Sequence, residues 1–240
     1  MNNLKELKER CYEANMEIPR RNLAIYTFGN VSAYDPDEEI FAIKPSGLPY
    51  EELTASDIVL VNLDGQKVEG EMNPSSDTKT HAVLYRNIEG IGGIVHTHST
   101  YASSWAQACR CIPIFGTTHA DHVAGNIPVT EVMSDRMIQG DYEEQTGYQI
   151  LNALRDQQLS PQEVQMILVA CHGPFTWGGS PEKAVYNAAV LEEVARMASL
   201  TEQVSPEIKT MKQTLIDKHY QRKHGCNAYY GQEQDRGALN

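Results

Sequence analysis

Apolar residues along the 240-residue chain alternate between helical and strand-like spacing. Leu4, Leu7, Cys11, Ala14 and Ile18 recur every three or four positions until Pro19, which predicts an N-terminal helix. Short runs of β-branched and aliphatic residues, each bounded by turn-forming residues, predict strands. These runs cover residues 23–34, 40–43, 58–61, 90–95 and 166–171.

Helical patterns fill most of the segments between these runs. They follow Pro74-Ser75-Ser76-Asp77, begin again with the capping sequence Ser180-Pro181-Glu182, and also cover residues 100–109, 142–157 and 206–224. Strands therefore alternate with helices along the chain. This order predicts an α/β fold of a single domain, in which α-helices flank a mixed, mainly antiparallel central β-sheet.

The charge balance narrows the range of partners. The chain carries 20 Lys and Arg against 32 Asp and Glu, a formal net charge of −12. This excess of negative charge argues against binding of nucleic acid or an anionic membrane by general electrostatics. Apolar runs are too short to span a bilayer, and the five cysteines show no disulfide framework, so we expect a cytoplasmic protein.

Three histidines carry the strongest chemical signal. His96 and His98 flank Thr97 at the end of a predicted strand, where residues two apart face the same side. His172 directly follows another predicted buried strand, and adjacent strands would bring it beside this pair. Such a trio predicts an open site for zinc or another divalent ion. Asp77 is a candidate anionic fourth ligand, although, taken alone, it is more typical of a helix N-cap.

Several turns offer groups that bind anions. Pro74-Ser75-Ser76 supplies hydroxyls and backbone N–H groups ahead of a helix, Lys44-Pro45-Ser46-Gly47 adds an ammonium beside a turn, and Gly29-Asn30 permits close approach of backbone to a ligand. Each cluster alone is also typical of an ordinary turn. Together, in an acidic protein, they indicate a phosphorylated substrate.

Further titratable residues lie outside these clusters. The predicted loop 117–122 contains Asp121, a candidate general acid or base. The histidines of the same loop are other candidates for that role. Alternatively, these polar residues have no catalytic role and only hydrogen-bond the loop together. His219 shares an apolar stripe with Ile208, Met211 and Leu215, which favours a satisfied core histidine. Tyr230 lies in a polar tail, where an aromatic residue indicates that the tail packs against another protein surface.

These motifs, in this order, resemble the class II aldolase/adducin-head family. The resemblance extends over residues 1–232 as one domain, leaving 233–240 as a polar C-terminal extension. Within the family the chain is similar to the 4-epimerase branch, through residues 172–178 and 217–232. The motifs that carry the family resemblance are residues 29–32, 44–47, 74–78, 92–99 and 116–121.

The resemblance implies a class II aldolase-like fold, a phosphorylated ketopentose substrate and an active site at the subunit interfaces of a homotetramer. It implies epimerisation between L-ribulose 5-phosphate and D-xylulose 5-phosphate by retro-aldol cleavage, rotation of the aldehyde and recombination. It also implies the following roles: Zn²⁺ or another divalent metal on Asp77, His96, His98 and His172; substrate on Gly29, Asn30, Lys44, Ser46, Gly47, Ser75 and Ser76; acid/base work by Asp121 and by Tyr230 from a neighbouring subunit; and His219 close by.

Other activities remain open on the same residues. A sugar-phosphate aldolase resembling L-fuculose-1-phosphate aldolases would release its aldehyde, although those enzymes carry a glutamate at the position of Asp77. Dehydratases of methylthioribulose phosphate share the metal histidines. A non-catalytic scaffold of the adducin type would be expected to have lost them. A hydrolytic metalloenzyme would use the three histidines but would not require Tyr230.

Overall fold

Seven strands form one antiparallel sheet at the centre of the protein, whose computed structural model describes residues 2–225 and 228. Tyr230 and the predicted 233–240 extension lie outside the described residues. The strands are β1 (Asn30–Asp35), β2 (Ile40–Ile43), β3 (Val59–Asn62), β4 (Lys67–Glu69), β5 (Gly93–His96), β6 (Met166–Val169) and β7 (Gly173–Gly178). Their order across the sheet is β4-β3-β2-β1-β5-β7-β6.

Helices cover both faces of this sheet. They are α1 (Asn2–Arg20), α2 (Thr78–Asn87), α3 (Thr100–Gln107), α4 (Thr117–Ala120), α5 (Asp135–Ile138), α6 (Tyr142–Asp156), α7 (Pro181–Val204) and α8 (Gln213–His224), with a 3₁₀ turn at Ala55–Asp57. Within the described part of the chain, no helix combines the length and apolarity needed to cross a membrane.

Side chains along each strand alternate between the two faces of the sheet, and this divides the hydrophobic core into layers. In β5, Val95 packs with α1 and α7, whereas Ile94 faces the opposite side and packs with α2 and α6. β3 divides in the same way, with Leu60 on the first side and Val59 and Val61 on the second. All strand pairs of this sheet are antiparallel, which confirms the expected α/β domain with helices flanking a mainly antiparallel central sheet.

A glycine lets α7 pack closely on the middle of the sheet. A Cβ atom at Gly93 would lie 2.3 Å from the Cα of Pro181, the first residue of α7. Ser180 caps this helix by accepting a hydrogen bond from the backbone N–H of Lys183. The predicted capping sequence is thus confirmed, and α7 begins directly against β5, the strand that ends at His96.

Several sequence predictions need correction. The last helix begins at Gln213 rather than at residue 206, because Met211 donates its backbone N–H to Ile114 O instead of continuing a helix. The predicted buried stripe on it is wrong as well, since Ile208 and Leu215 are exposed and Ile216 is the buried residue. Residues 117–120 form the short helix α4 rather than a loop. Strands β4 and β7 have no counterpart among the predicted strands.

Candidate functional site

Three imidazoles converge at one edge of the sheet. His96 is the last residue of β5, His98 lies two residues beyond it, and His172 lies in the turn between β6 and β7. One ligand nitrogen from each ring lies within 4.8 Å of the others, and the Nε2 atoms of His96 and His98 are 3.0 Å apart. The predicted clustering of these histidines is confirmed.

The strand that places His172 beside His96 and His98 is not the one predicted. β6 does not neighbour β5, because β7 lies between them in the sheet. In the register of β7 with β5, Phe175 is paired with His96. The turn that precedes β7 therefore lies beside the end of β5, and it is closed by a hydrogen bond from the His172 N–H to Val169 O. The unpredicted strand β7 is what positions the third histidine.

The hydrogen bonds and burial of the three rings suit them to bind a cation. His96 Nδ1 lies 3.0 Å from the carbonyl oxygen of Pro174, which can only accept, so Nδ1 carries a proton and Nε2 is the ring nitrogen left for a metal ion. Burial, with the neighbouring His96 and His98, lowers the pKa of His172 to about 4. Burial and His96 also lower the pKa of His98.

This donor set fits a divalent ion such as zinc. Neutral imidazoles are the form that binds metal, and two nitrogens at about 2.0–2.1 Å from a tetrahedral zinc ion lie roughly 3.3 Å apart. The observed 3.0 Å between the Nε2 atoms of His96 and His98 is close to that separation. The three histidines could therefore hold such an ion without rearrangement of the strands.

Asp77 lines the same cleft and does not act as a helix cap. It occupies the N-cap position of α2, but its side chain makes no capping hydrogen bond. Its Oδ2 instead accepts a hydrogen bond of 2.7 Å from Asn30 Nδ2. Burial raises the pKa of Asp77, but His96, His81 and the Asn30 amide outweigh that effect, and the net pKa lies below its ordinary value. The cleft thus contains an ionised carboxylate.

Two polar loops form the other wall of the cleft. The Ser46 N–H donates to Asn73 O at 3.0 Å, and the Ser75 N–H donates to Lys44 O at 3.1 Å, so the loop after β2 and the loop before α2 are joined through their backbones. Asn30 Nδ2 also donates to Ser75 Oγ at 3.1 Å. These bonds bring the separately predicted anion-binding turns together.

All predicted substrate and metal residues line one cavity of about 470 Å³. The candidates among its lining residues are Gly29, Asn30, Lys44, Ser46, Gly47, Ser75, Ser76, Asp77, His96, His98 and His172. Gly29 is required here because its φ is +75° and a Cβ would lie 2.7 Å from His96 O. The close approach holds the start of β1 against the end of β5.

Lys44 is a buried cation at the wall of this cleft. Its side chain is 1% exposed, and Nζ donates to Leu48 O at 2.5 Å and lies 4.9 Å from the centre of the Tyr50 ring. Burial lowers the pKa of Lys44 to about 8. The ammonium is therefore largely charged at pH 7 and available to an anion entering the cleft.

Asp121 lies in a different place. It follows α4 and is not among the residues that line the cleft. Its carboxylate accepts bonds from Arg222 Nε at 3.0 Å, Arg222 Nη2 at 2.7 Å and His219 Nδ1 at 3.0 Å, all from α8. Burial raises the pKa of Asp121, but Arg222 and His219 outweigh burial and keep the net pKa low. His219 is therefore a partner of Asp121, not a core histidine.

Sequence reasoning missed some residues in the cleft and its surroundings. Tyr142 and Glu143 line it, and the Tyr142 hydroxyl lies 3.4 Å from His172 Nδ1. Both residues occupy the first turn of α6, where only the helical pattern is visible in the sequence. His119, an acid/base rival to Asp121, is instead buried, and burial lowers its pKa to about 4.

Solved structures with the same fold were found by comparison. An L-fuculose 1-phosphate aldolase superposes with a TM-score of 0.75 at 22% identity, covering 90% of this chain and 95% of that one. An L-fuculose-1-phosphate aldolase from Thermus thermophilus gives 0.64 at 22%, covering 85% and 98%. YgbL from Klebsiella pneumoniae, described as a putative aldolase/epimerase/decarboxylase, gives 0.67 at 25%, covering 89% and 97%.

A family model extends this likeness from fold to sequence. The model of the class II aldolase and adducin N-terminal domain matches residues 9–199. That range includes the sheet, the three converging histidines and both polar loops of the cleft. The chain therefore belongs to the class II aldolase and adducin N-terminal domain family.

Proposed function

We propose that the protein is a divalent-metal-dependent epimerase that interconverts L-ribulose 5-phosphate and D-xylulose 5-phosphate. The observation that carries the proposal is the convergence of His96, His98 and His172 in the same cleft as a buried lysine and two polar loops. A metal-binding end and an anion-binding wall in one cavity suit a phosphorylated sugar whose reacting oxygens lie away from its phosphate.

Within this proposal the protein residues hold the two ends of the substrate. His96, His98 and His172, with Asp77, hold a zinc ion or another divalent ion. Once bound, that ion supplies Lewis-acid polarisation of the sugar's carbonyl. Gly29-Asn30, Ser46-Gly47 and Ser75-Ser76 receive the phosphate and the hydroxyl groups of the substrate, with the ammonium of Lys44 beside the phosphate. The ammonium of Lys44 at pH 7 supports this arrangement.

Inversion at C4 requires proton transfer on both faces of the sugar. Breaking the C3–C4 bond yields a three-carbon enediolate and glycolaldehyde phosphate, and recombination after rotation of the aldehyde inverts C4. One group must take the proton of the C4 hydroxyl, and another must return a proton to the rotated alkoxide. We assign these two roles to Asp121 and Tyr230.

The position of Asp121 supports an assembly in which subunits complete one another's sites. Asp121 does not line the cleft of its own chain, and it is bonded to α8, the helix that precedes the segment containing Tyr230. We propose that both residues reach the cleft of a neighbouring subunit in a homotetramer. Four-fold cyclic symmetry would then complete every site in the same way.

The alternative is a sugar-phosphate aldolase resembling L-fuculose-1-phosphate aldolases. The fold of those enzymes and this chain is the same, and both activities begin by breaking a carbon–carbon bond. The shorter carboxylate of Asp77, where those aldolases have a glutamate, favours the epimerase. An aldolase would release its aldehyde, whereas an epimerase must retain it until recombination.

A product assay separates these two activities. Incubation of the protein with L-ribulose 5-phosphate and Zn²⁺ should yield D-xylulose 5-phosphate without accumulation of glycolaldehyde phosphate. The His96→Ala variant serves as the matched control for contaminating activity. Net release of aldehyde, from this substrate or from L-fuculose 1-phosphate, would replace the epimerase with the aldolase. Absence of turnover of either sugar by metal-loaded protein would overturn both.

A further inference from the structure

Two cysteine thiols lie in contact at the protein surface, next to the turn that carries His172. Cys109 follows the end of α3, and Cys171 lies in the turn between β6 and β7. Their Sγ atoms are 3.5 Å apart although the residues are far apart in sequence, and both residues are exposed. Two adjacent, solvent-accessible thiols are the arrangement from which an intramolecular disulfide forms.

The backbone holds these thiols together. The N–H groups of Cys109 and Cys171 both donate to one carbonyl oxygen, that of Ala106, at 3.0 Å and 2.9 Å. Both cysteines also have positive φ angles, of 52° and 60°, which are uncommon for residues other than glycine. The proximity of the two sulfur atoms therefore follows from two fixed turns that share a hydrogen-bond acceptor, not only from side-chain rotamers.

We propose that Cys109 and Cys171 form a reversible redox dithiol whose oxidant is a low-molecular-weight disulfide such as glutathione disulfide. One thiolate attacks the oxidant, which forms a mixed disulfide and releases one thiol. The second thiolate then attacks the protein sulfur of that mixed disulfide and releases the second thiol. The two cysteines lose two electrons and two protons in total, and the oxidant is reduced to two thiols. Rotation of the side chains must shorten the sulfur–sulfur distance from 3.5 Å to about 2.05 Å.

The described cysteines outside the pair differ from it in ways that make them controls. Cys11 is buried and contacts the carbonyl oxygens of Val31 and Ala42, so oxidants in solution do not reach it. Cys111 is partly exposed and only two residues from Cys109, but its Sγ atom accepts a contact from Asn126 Nδ2 at 3.9 Å. Oxidation of this thiol pair does not depend on the proposed function.

The location of the pair gives its oxidation a structural consequence. α3 begins two residues after His98, and Cys171 directly precedes His172. A disulfide between Cys109 and Cys171 would therefore tie together the two chain segments that supply the converging histidines. Reduction by a dithiol would release that tie.

Peptide mapping tests this directly, because trypsin places the relevant cysteines in different peptides. Cys109 lies in residues 87–110, Cys111 in 111–136 and Cys171 in 156–183. Full-length native protein is treated with glutathione disulfide, alkylated and digested. We expect peptides 87–110 and 156–183 to be joined, two hydrogens lighter than their sum, and to separate after dithiothreitol. Cys111→Ser should give the same product.

Single variants trap the intermediate. In Cys171→Ser and Cys109→Ser the remaining thiol has no partner, so a stable glutathione adduct should persist on it, whereas native protein should retain none. Serine differs from cysteine by one atom, and either residue adopts a positive φ with similar difficulty, so folding is preserved. Persistent adducts on both cysteines of native protein would overturn the proposal. So would a joined pair that forms only after denaturation, or one that involves a different cysteine.

Discussion

At the scale of single residues, hydrogen-bond partners determine what the cleft can bind. The Pro174 carbonyl fixes the tautomer of His96, and Phe175 stacks on that ring at 4.2 Å between centroids. These contacts come from β7, so the orientation of the ring is set before any ion arrives. A preoriented ring loses little conformational freedom on binding, which favours the metal.

The first prediction concerns His96. We expect His96→Ala to lose bound divalent metal and its turnover to fall at least about 100-fold, because the two remaining imidazoles and Asp77 hold such an ion more weakly. Metal per chain, measured by atomic spectrometry after dialysis, and the rate with L-ribulose 5-phosphate test this. His122→Ala is the matched control for metal content and should keep its metal, since His122 bonds to Thr118 O and Tyr186 outside the cleft. Full turnover by metal-depleted protein would contradict the prediction.

The second prediction concerns Lys44, whose burial opposes stability. Its pKa is about 8 in the folded protein against 10.5 for the free side chain. Between these values the unfolded chain binds a proton that the folded protein lacks, so Lys44 makes the free energy of unfolding rise with pH in that window. The slope approaches about 1.4 kcal/mol per pH unit. Below pH 8 the protein keeps an energetically unfavourable buried charge.

The Lys44→Met variant lacks this titration. The difference in unfolding free energy between native protein and variant should therefore increase in favour of the native protein from pH 8 to pH 10, by about 2 kcal/mol. Urea denaturation at several pH values measures it, and other titrating groups cancel in the difference. Lys5→Met, at an exposed lysine, is the control. If Lys44 binds the substrate phosphate as proposed, the variant should also have a much higher KM. A difference independent of pH would contradict this account.

At the scale of elements, short sequence patterns predict helices and caps, which depend on neighbouring residues. They do not predict strands whose conformation depends on pairing within the sheet. The capping sequence at Ser180 and the N-terminal helix are confirmed because both depend on residues within a few positions of one another. β7 escapes prediction because Gly173, Pro174 and Gly178 interrupt its apolar pattern. Its extended conformation depends on pairing with β5 and β6, which a single segment does not reveal.

The third prediction tests how α7 packs on the sheet. Gly93→Ala should lower the free energy of unfolding by about 3 kcal/mol, because the added Cβ would lie 2.3 Å from the Pro181 Cα and backbone must shift to admit it. Gly125→Ala is the matched control, since nothing lies within 4 Å of its Cβ position, and it should change stability by less than about 0.5 kcal/mol. Denaturant midpoints measure both. Equal midpoints for the two variants would contradict the close packing.

At the scale of the whole molecule, the predicted site divides into two groups. The residues of the cleft could be grouped from the sequence, because histidines at strand ends indicate metal binding and turns with hydroxyls and a lysine indicate anion binding. The separation of Asp121 from them could not, because it depends on where α4 and α8 pack. Asp121 is paired with Arg222 and His219, and none of these three residues lines the cleft.

The fourth prediction follows from that separation. His96→Ala keeps Asp121 but has a defective cleft, and Asp121→Asn keeps the cleft. If a neighbouring subunit supplies Asp121, mixed assemblies of these two inactive variants contain some complete sites. With equal random mixing around a closed ring, about one quarter of the sites are complete. Activity should therefore recover to about 25% of the native rate per site.

The control mixes two variants of the cleft, His96→Ala and His172→Ala, which damage the same site. That mixture should stay inactive, because every cleft lacks one of its histidines whichever subunit supplies Asp121. Native mass spectrometry with one variant tagged establishes that subunits have exchanged. Exchange without recovery in the first mixture would mean that Asp121 serves its own chain's cleft or serves none. In the second case its ion pair with Arg222 would hold α8 against α4 and have no part in proton transfer.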